Sequence, residues 1–358
     1  MIDYIEISGF KSIKKIHLDL QPVNILIGAN GSGKSNFISF FEFLNKLYDK
    51  KLSEYIALKG GEDKMLHKGS KITSNLSFEV SFNDEINGYS AELILGEEGL
   101  VFKTEHLLYE GTKGWNISTY RNEANIKTTD NYRAPYVKKY LDRLKKYHFH
   151  DTSKNSPFSK MSHIENDSYF LYEEGQNLAA FLYSIREENK TVYNRIVKTI
   201  QSIAPFFSDF YLHPNSEGYL RLNWQDKYSS IVYGPNDFSD GTLRFIALTT
   251  LFMQPNLPDT IIIDEPELGL HPFAITKLSG MIKSVVLKGS QVIVATQSTD
   301  LVNNFSPEQI ITVDQVEGES LFKRLSSDEL THWLEEYSVG ELWQRNILTR
   351  SEERRVGK

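Results

Sequence analysis

The sequence predicts an α/β fold built on a mixed sheet, and three observations lead there. Val23–Ile27 is a near-continuous apolar run, as a strand buried on both faces requires, and it opens directly into Gly28-Ala29-Asn30-Gly31-Ser32-Gly33-Lys34-Ser35. Far downstream, Thr260–Ile263 is a second short apolar strand, and it ends in two adjacent carboxylates, Asp264 and Glu265. Between them, residues 72–128 alternate apolar and polar in "LSFEVSF", "YSAELIL" and "WNISTY", the period of an antiparallel meander.

The chain begins "MIDYIEISGFKSIKK", and alternation in Ile5–Ile7 and Ile16–Leu20 predicts a small N-terminal antiparallel lobe with its turn at Ser8–Gly9. The loop after Val23–Ile27 is a full G-x-x-x-x-G-K-S between a strand and a helix. Its glycines let backbone N–H groups wrap around phosphate oxygens, and the helix start adds partial positive charge. Lys34 would reach the β/γ-phosphates and the Ser35 hydroxyl a Mg²⁺ ion. Gly28, Asn30, Gly31, Ser32, Gly33, Lys34, Ser35 and Asn36 are therefore the candidate nucleotide-binding residues. Phe37, Phe40, Phe41, Leu44 and Leu47 then keep helical spacing.

About 200 residues separate this loop from "NDFSDGTLRF" (236–245), far more than a loop, so an inserted region with its own structure is expected. After the meander, residues 135–205 read mainly helical, with Leu178, Phe181, Leu182 and Ile185 on one stripe. Val192, Ile196, Val197, Ile200 and Ile203 form another, and no heptad pattern runs long enough for a coiled-coil arm. The basic run "YVKKYLDRLKKYH" (136–148) reads as a solvated helix face, with a polyanion contact as the alternative. His148-Phe149-His150-Asp151, with His163, lacks a full set of metal-ligand spacings and reads as a loop near the nucleotide.

Ser239 sits where a helix bearing Leu243, Ile246, Ala247 and Leu251 begins, so it is either an N-cap or a second phosphate grip. At the downstream strand end, Asp264 would hold Mg²⁺ and Glu265 would take a proton from the attacking water. Near the C-terminus, Ser326-Ser327-Asp328-Glu329 offers a capping box for a helix with Leu330, Trp333, Leu334 and Tyr337 on one face.

Composition narrows the classes. The 358 residues suit two average domains or one large unit with insertions. No run of about 18 apolar residues occurs, so no membrane span is expected, and the start has no signal-peptide core. The absence of cysteine excludes disulfides and thiolate metal sites and fits a cytoplasmic protein. A formal net charge of −7 argues against a nucleic-acid coat protein. The last nine residues, "RSEERRVGK", resemble a translated sequencing-adapter read, so the natural chain is expected to end near Thr349.

The order of these motifs, with "PELGLHP" directly after the carboxylates, resembles ABC-type ATPases. Within them it is most similar to the SMC/Rad50/RecF branch and to an uncharacterised bacterial subgroup of AAA-family ATPases grouped with OLD-like proteins. "GFKSIKKIHLDL", "ILIGANGSGKSN", "YHFHDTS", "NLAAFLY", "FSDGTLRFIALTTLFMQP", "IIIDEPELGLHPFAI" and "QVIVATQS" carry the resemblance along nearly the whole chain. It implies that Ser239, Asp240 and Gly241 cap the γ-phosphate held by the loop of a second protomer, and that Glu267 to His271 form a loop communicating across an ATP-dependent homodimer. Related ATPases carry His at the switch position, where this chain has Gln297. Glutamine can hydrogen-bond the γ-phosphate but cannot carry a proton or positive charge at neutral pH, which implies slow turnover. No clear Q-loop glutamine stands out, Gln176 and the "HDTS" loop being candidates.

The expected organisation is a first ATPase part at 1–71, an inserted β-meander and helical region at 72–235, a second ATPase part at 236–349, and a non-native tail at 350–358. The resemblance implies ATP and Mg²⁺ as cofactors, and either DNA or a separately encoded effector protein as a partner. The service is DNA repair, anti-phage defence, or control of that effector without contact to DNA.

Overall fold

The computed structural model describes residues 1–97, 99–345 and 347–348; the proposed foreign tail 350–358 and the expected natural end at Thr349 lie outside them. In chain order the elements run β1 (Ile2–Phe10), β2 (Ile13–Asp19), β3 (Val23–Ile27), α1 (Lys34–Tyr48), α2 (Leu52–Leu58), α3 (Glu62–Met65), β4 (Asn75–Phe82), β5 (Asn87–Gly96), β6 (Gly99–Tyr109), β7 (Thr112–Ser118), α4 (Ala134–Asp142) and β8 (Leu144–Tyr147). There follow β9 (Ser162–His163), α5 (Leu178–Glu188), α6 (Lys190–Gln201), β10 (Phe207–Phe210), β11 (Tyr219–Leu220), β12 (Trp224–Asp226), β13 (Val232–Tyr233) and α7 (Asp240–Met253). The chain ends with β14 (Thr260–Asp264), α8 (Pro272–Val286), β15 (Gln291–Thr296), α9 (Thr299–Val302), β16 (Ile310–Val316), β17 (Glu319–Arg324), α10 (Ser327–Leu334) and α11 (Val339–Gln344). Two compact units result: residues 1–146, 258–262 and 290 onward form the first, and residues 147–257 and 263–289 the second.

The first unit holds two sheets. One is antiparallel, in the order β2-β1-β4-β5-β6-β7. Its β1–β2 hairpin turns at Lys11–Ser12, with Phe10 paired to Ile13, and not at Ser8–Gly9 as expected. Gly9 and the fully buried Phe10 stay in the strand, and Lys11 takes the left-handed conformation (φ 49°) that closes a tight turn. The meander is present as β4–β7, but β4 pairs directly with β1, so the alternating stretch extends the N-terminal lobe. Glu105 of β6 is fully buried and ties down the chain after β7, accepting from the Asn125 and Ile126 amides and from the Tyr89 hydroxyl.

The other sheet runs β17-β16-β3-β15-β14-β8. β15 and β16 pair in parallel with β3, while β17 returns antiparallel to β16. All five residues of β3 are buried, as its apolar run requires.

Helix α1 packs within one hydrophobic core that includes Ile5, Ile7 and Phe78 of the antiparallel sheet and Leu26, Ala295 and Val313 of the mixed sheet. That double burial explains why Ile38 and Phe43 are covered as well as the predicted stripe. Phe10, Phe40, Phe43 and Phe78 form an aromatic cluster with centroids 5.5–6.1 Å apart. Such pairs add roughly 0.5–1.5 kcal/mol each beyond area burial.

The basic run at 136–148 is largely engaged by its own unit. Lys146 pairs with Glu42 at 2.6 Å, Arg143 with Asp259 at 2.6 Å, and Lys138 donates to the Thr129 carbonyl. The expected capping box at Ser326 does not form. Ser327 instead bonds Glu308 through its amide and hydroxyl, and the box appears at α11, where Ser338 and Glu341 bond reciprocally. Of the α10 stripe, Leu330 is buried, but Trp333 is exposed.

The second unit packs α5–α8 with the short sheet β10-β12-β13 and the β9–β11 pair. Residues 144–171, expected to be mainly helical, are instead short strands and irregular chain before α5. Among the described residues, no helix is long and apolar enough to cross a membrane.

Candidate nucleotide site

In the first unit, β3 delivers the chain into the glycine loop, and α1 begins at Lys34. The loop is held from behind by a relay of hydroxyls. Asn36 Nδ2 donates to Ser12 Oγ at 2.7 Å, Ser12 Oγ lies 2.7 Å from Ser320 Oγ, and Ser320 Oγ donates to the Ser32 carbonyl at 2.7 Å. Gly33 has φ 112°, and a Cβ there would meet Ser320 Oγ at 1.9 Å, so this position requires glycine twice over. Gly31, in contrast, would meet nothing within 4 Å. The loop is therefore braced on one side and open at Gly31.

Lys34 is buried, and its ammonium donates to the Gly28 and Ala29 carbonyls at 2.6 and 3.0 Å. Those bonds fold the lysine back over the loop, where phosphate oxygens bind in loops of this type. Ser32 Oγ is buried with no hydrogen-bond partner among the described residues, an orphan that a phosphate oxygen would satisfy. These features fit the triphosphate of a nucleotide. Asn30 and Ser35 are exposed beside the loop.

Gln297 follows β15, whose Thr296 pairs in parallel with Ile27 of β3. The register sets Gln297 at the same sheet edge as Gly28, where α/β ligand sites form.

The second unit contains Ser239, Asp240, Gly241, Asp264 and Glu265. Asp264 ends β14, and its carbonyl lies 2.8 Å from His150 Nε2. Glu265 takes φ 42°, a left-handed backbone unusual for a side-chain-bearing residue, of the kind that clusters at functional sites. His148 and His150 stack at 4.2 Å between centroids. Gln176 lies just before α5, and its side-chain Oε1 is buried with no partner among the described residues.

Of the two readings of Ser239, the N-cap is present as local geometry. Its Oγ accepts from the Thr242 amide at 3.2 Å, a true N-cap, and the residue remains exposed. Phe238, just before it, stacks on Trp224 at 4.3 Å and 15° between planes, while Trp224 Nε1 donates to the Gly234 carbonyl. This aromatic pair fixes where α7 starts.

Arg244, one turn inside α7, went unnoticed in the sequence. It is buried, and its guanidinium donates to the Phe149 carbonyl at 2.9 Å, the His150 carbonyl at 3.0 Å and the Leu268 carbonyl. Burial lowers its pKa from the ordinary value, opposed by the charges of Asp240 and Glu267. One side chain thus joins α7, the "HFHD" segment and the "PELGL" loop. An arginine among Leu243, Phe245, Ile246 and Ala247 was the available signal, since a cation on a core-facing stretch needs buried acceptors.

Ser239, Gly241, Thr242 and His271 share an open cavity of about 410 Å³ whose lining residues all belong to the second unit. Ser202 adds another hydroxyl, and no carboxylate lines it. Its polar side chains are the Ser202, Ser239 and Thr242 hydroxyls and the His271 ring.

A family model described as "AAA domain, putative AbiEii toxin, Type IV TA system" matches residues 23–303. Among solved structures, the chain is similar to the crystal structure of the SmcHead bound to the C-winged helix domain of ScpA, with 19% identity and a TM-score of 0.63 over 92% of this chain and 99% of that one. It is also similar to the Smc head domain with an extended coiled coil bound to the C-terminal domain of ScpA, derived from Pyrococcus furiosus, with 18% identity and a TM-score of 0.56 over 94% and 98% of the two chains. At such identities the likeness is one of fold. A comparison with curated proteins finds no match. With its phosphate loop and SMC-head fold, the chain belongs to this family of AAA domains.

Proposed function

We propose that this chain is a cytoplasmic ATP hydrolase that closes as an isologous homodimer around Mg-ATP and acts as a slow switch. Bound Mg-ATP supplies the phosphoanhydride bond and the cation that screens its charge. Lys34 and the loop amides hold the phosphates, and Ser35 and Asp264 are the metal ligands. Glu265 accepts the proton of the attacking water, and Gln297 orients that water. Ser239, Asp240 and Gly241 meet the γ-phosphate held by the other protomer.

The observation that carries the trans arrangement is the second cavity. Its lining offers the hydroxyls of Ser202, Ser239 and Thr242 and no carboxylate, Asp240 lying outside it, and all of its residues belong to the second unit. The test is the mass of the Glu265→Gln protein by light scattering, with and without Mg-ATP at several concentrations. The reading expects an ATP-dependent shift from monomer to dimer that Ser239→Arg abolishes. A monomer that binds ATP without changing mass would overturn it.

The biological setting we favour is DNA repair or anti-phage defence, in keeping with the RecF-like and OLD-like resemblance. A second reading is regulation of a separately encoded effector without DNA contact. It is favoured by the toxin–antitoxin wording of the family and by relatives captured with a protein partner. DNA affinity that falls steeply with salt separates the first from the second.

A further inference from the structure

Helices α6 and α8 contain no aspartate or glutamate, although the whole chain carries a formal charge of −7. Where they meet the end of α7 they form an open groove of about 310 Å³. Arg195 of α6 lies on one side, and Lys277 and Lys288 lie along the other, with no carboxylate in the lining. Among the described residues, none of these three cations makes an ion pair. The floor is apolar, formed in part by Phe252, Met253 and Met281. From Thr276 to Lys288 the α8 side runs for about 18 Å, three turns of a helix.

We propose that this groove docks an acidic amphipathic helix of a partner protein. Carboxylates on the flanks of such a helix would meet Arg195 on one side and Lys277 and Lys288 on the other, and its apolar stripe would fill the floor. Methionine suits that task, because its flexible, polarisable side chain adapts to an incoming apolar surface. A nucleic-acid backbone matches the cations but gains nothing from a thioether floor. Phe252, 2% exposed, offers no stacking platform for bases. Gly280 sits mid-groove on α8, and a Cβ there would meet nothing within 4 Å, so the groove has room for a side chain from outside. The proposal is independent of the ATPase cycle, and its test needs no nucleotide.

The test uses the full chain and two fluorescent peptides of about 18 residues with leucine at helical spacing, one filled out with glutamate and one with lysine. Single-stranded and duplex DNA of similar length serve as competitors. The glutamate peptide is expected to bind, and Lys277→Glu with Lys288→Glu to weaken it by about tenfold or more while creating affinity for the lysine peptide. Gly280→Gln, which fills the open space, is expected to weaken the glutamate peptide as well, with an unchanged melting curve for both variants. Peptide binding indifferent to the charge reversal would overturn the proposal. So would a groove whose reversal affects DNA binding alone, or one whose reversal changes only the mass of the protein, the mark of a second copy.

Discussion

Gly241 lies so close to Gly269 that a Cβ on Gly241 would stand 2.1 Å from the Gly269 carbonyl oxygen. The contact joins the first turn of α7 to the "PELGL" loop, and the obstacle is backbone, which cannot swing aside. Gly241→Ala should therefore destabilise the protein by about 1–3 kcal/mol in denaturant unfolding, despite alanine's better helix propensity. An alanine variant as stable as the wild type would show that the loop yields freely.

Arg244 spans the same junction from within. Replacing it by alanine leaves the Phe149, His150 and Leu268 carbonyls without their donor and opens space beside α7. A loss of roughly 3 kcal/mol is expected by urea unfolding. Arg244→Lys should recover only part of it, because an ammonium cannot reach three divergent carbonyls in one plane. Full recovery by lysine would mean that charge, not geometry, holds the junction.

How far the sequence disclosed this arrangement follows from the range of each signal. The phosphate loop, β3 and the carboxylate-ended β14 are local patterns, so residue order alone revealed them. The meander was also legible, but its pairing with β1 was not, because strand partners far apart in sequence leave no periodic trace. The hairpin turn was misplaced for a related reason. Gly9 is the stronger turn signal, yet burial of Phe10 opposite Ile13 moved the turn to Lys11–Ser12. Ser12 and Ser320, which brace the loop from 308 residues apart, carry no sequence signature at all.

That brace is open to test. Ser12→Ala removes the acceptor of Asn36 and the hydroxyl partner of Ser320 together, so the relay that ends at the Ser32 carbonyl is cut short at Ser320. We expect a cost of about 1–2 kcal/mol in stability and several-fold weaker binding of a fluorescent ATP analogue. Equal nucleotide affinity in the two proteins would confine the relay to a folding role.

Gln297 is the place to examine the slow-switch reading. Gln297→His restores a group able to carry a proton near neutral pH, and steady-state phosphate release should rise by about tenfold or more. Comparable rates in the two proteins would count against a turnover limit at this position.

Lys11 links stability to pH. Burial, reinforced by Lys59 and Lys146 and opposed by Glu42, pushes its ammonium down to about 8. The lysine donates to Ser39 Oγ at 2.7 Å. Because the folded value lies below the ordinary 10.5, the protonated form is penalised in the native state. Below pH 8 both states carry the proton and the penalty is complete. Between pH 8 and 10.5 the unfolded chain binds more protons, so this residue's contribution to stability rises with pH. Lys11→Met removes the titrating group. The variant should exceed the wild type by about 1–2 kcal/mol at pH 7, after allowance for partial solvent access, and that margin should shrink toward pH 10. The measurement is the urea midpoint of both proteins across that interval. A margin that stays constant or grows with pH would show that the lysine is charged and well solvated in the native state.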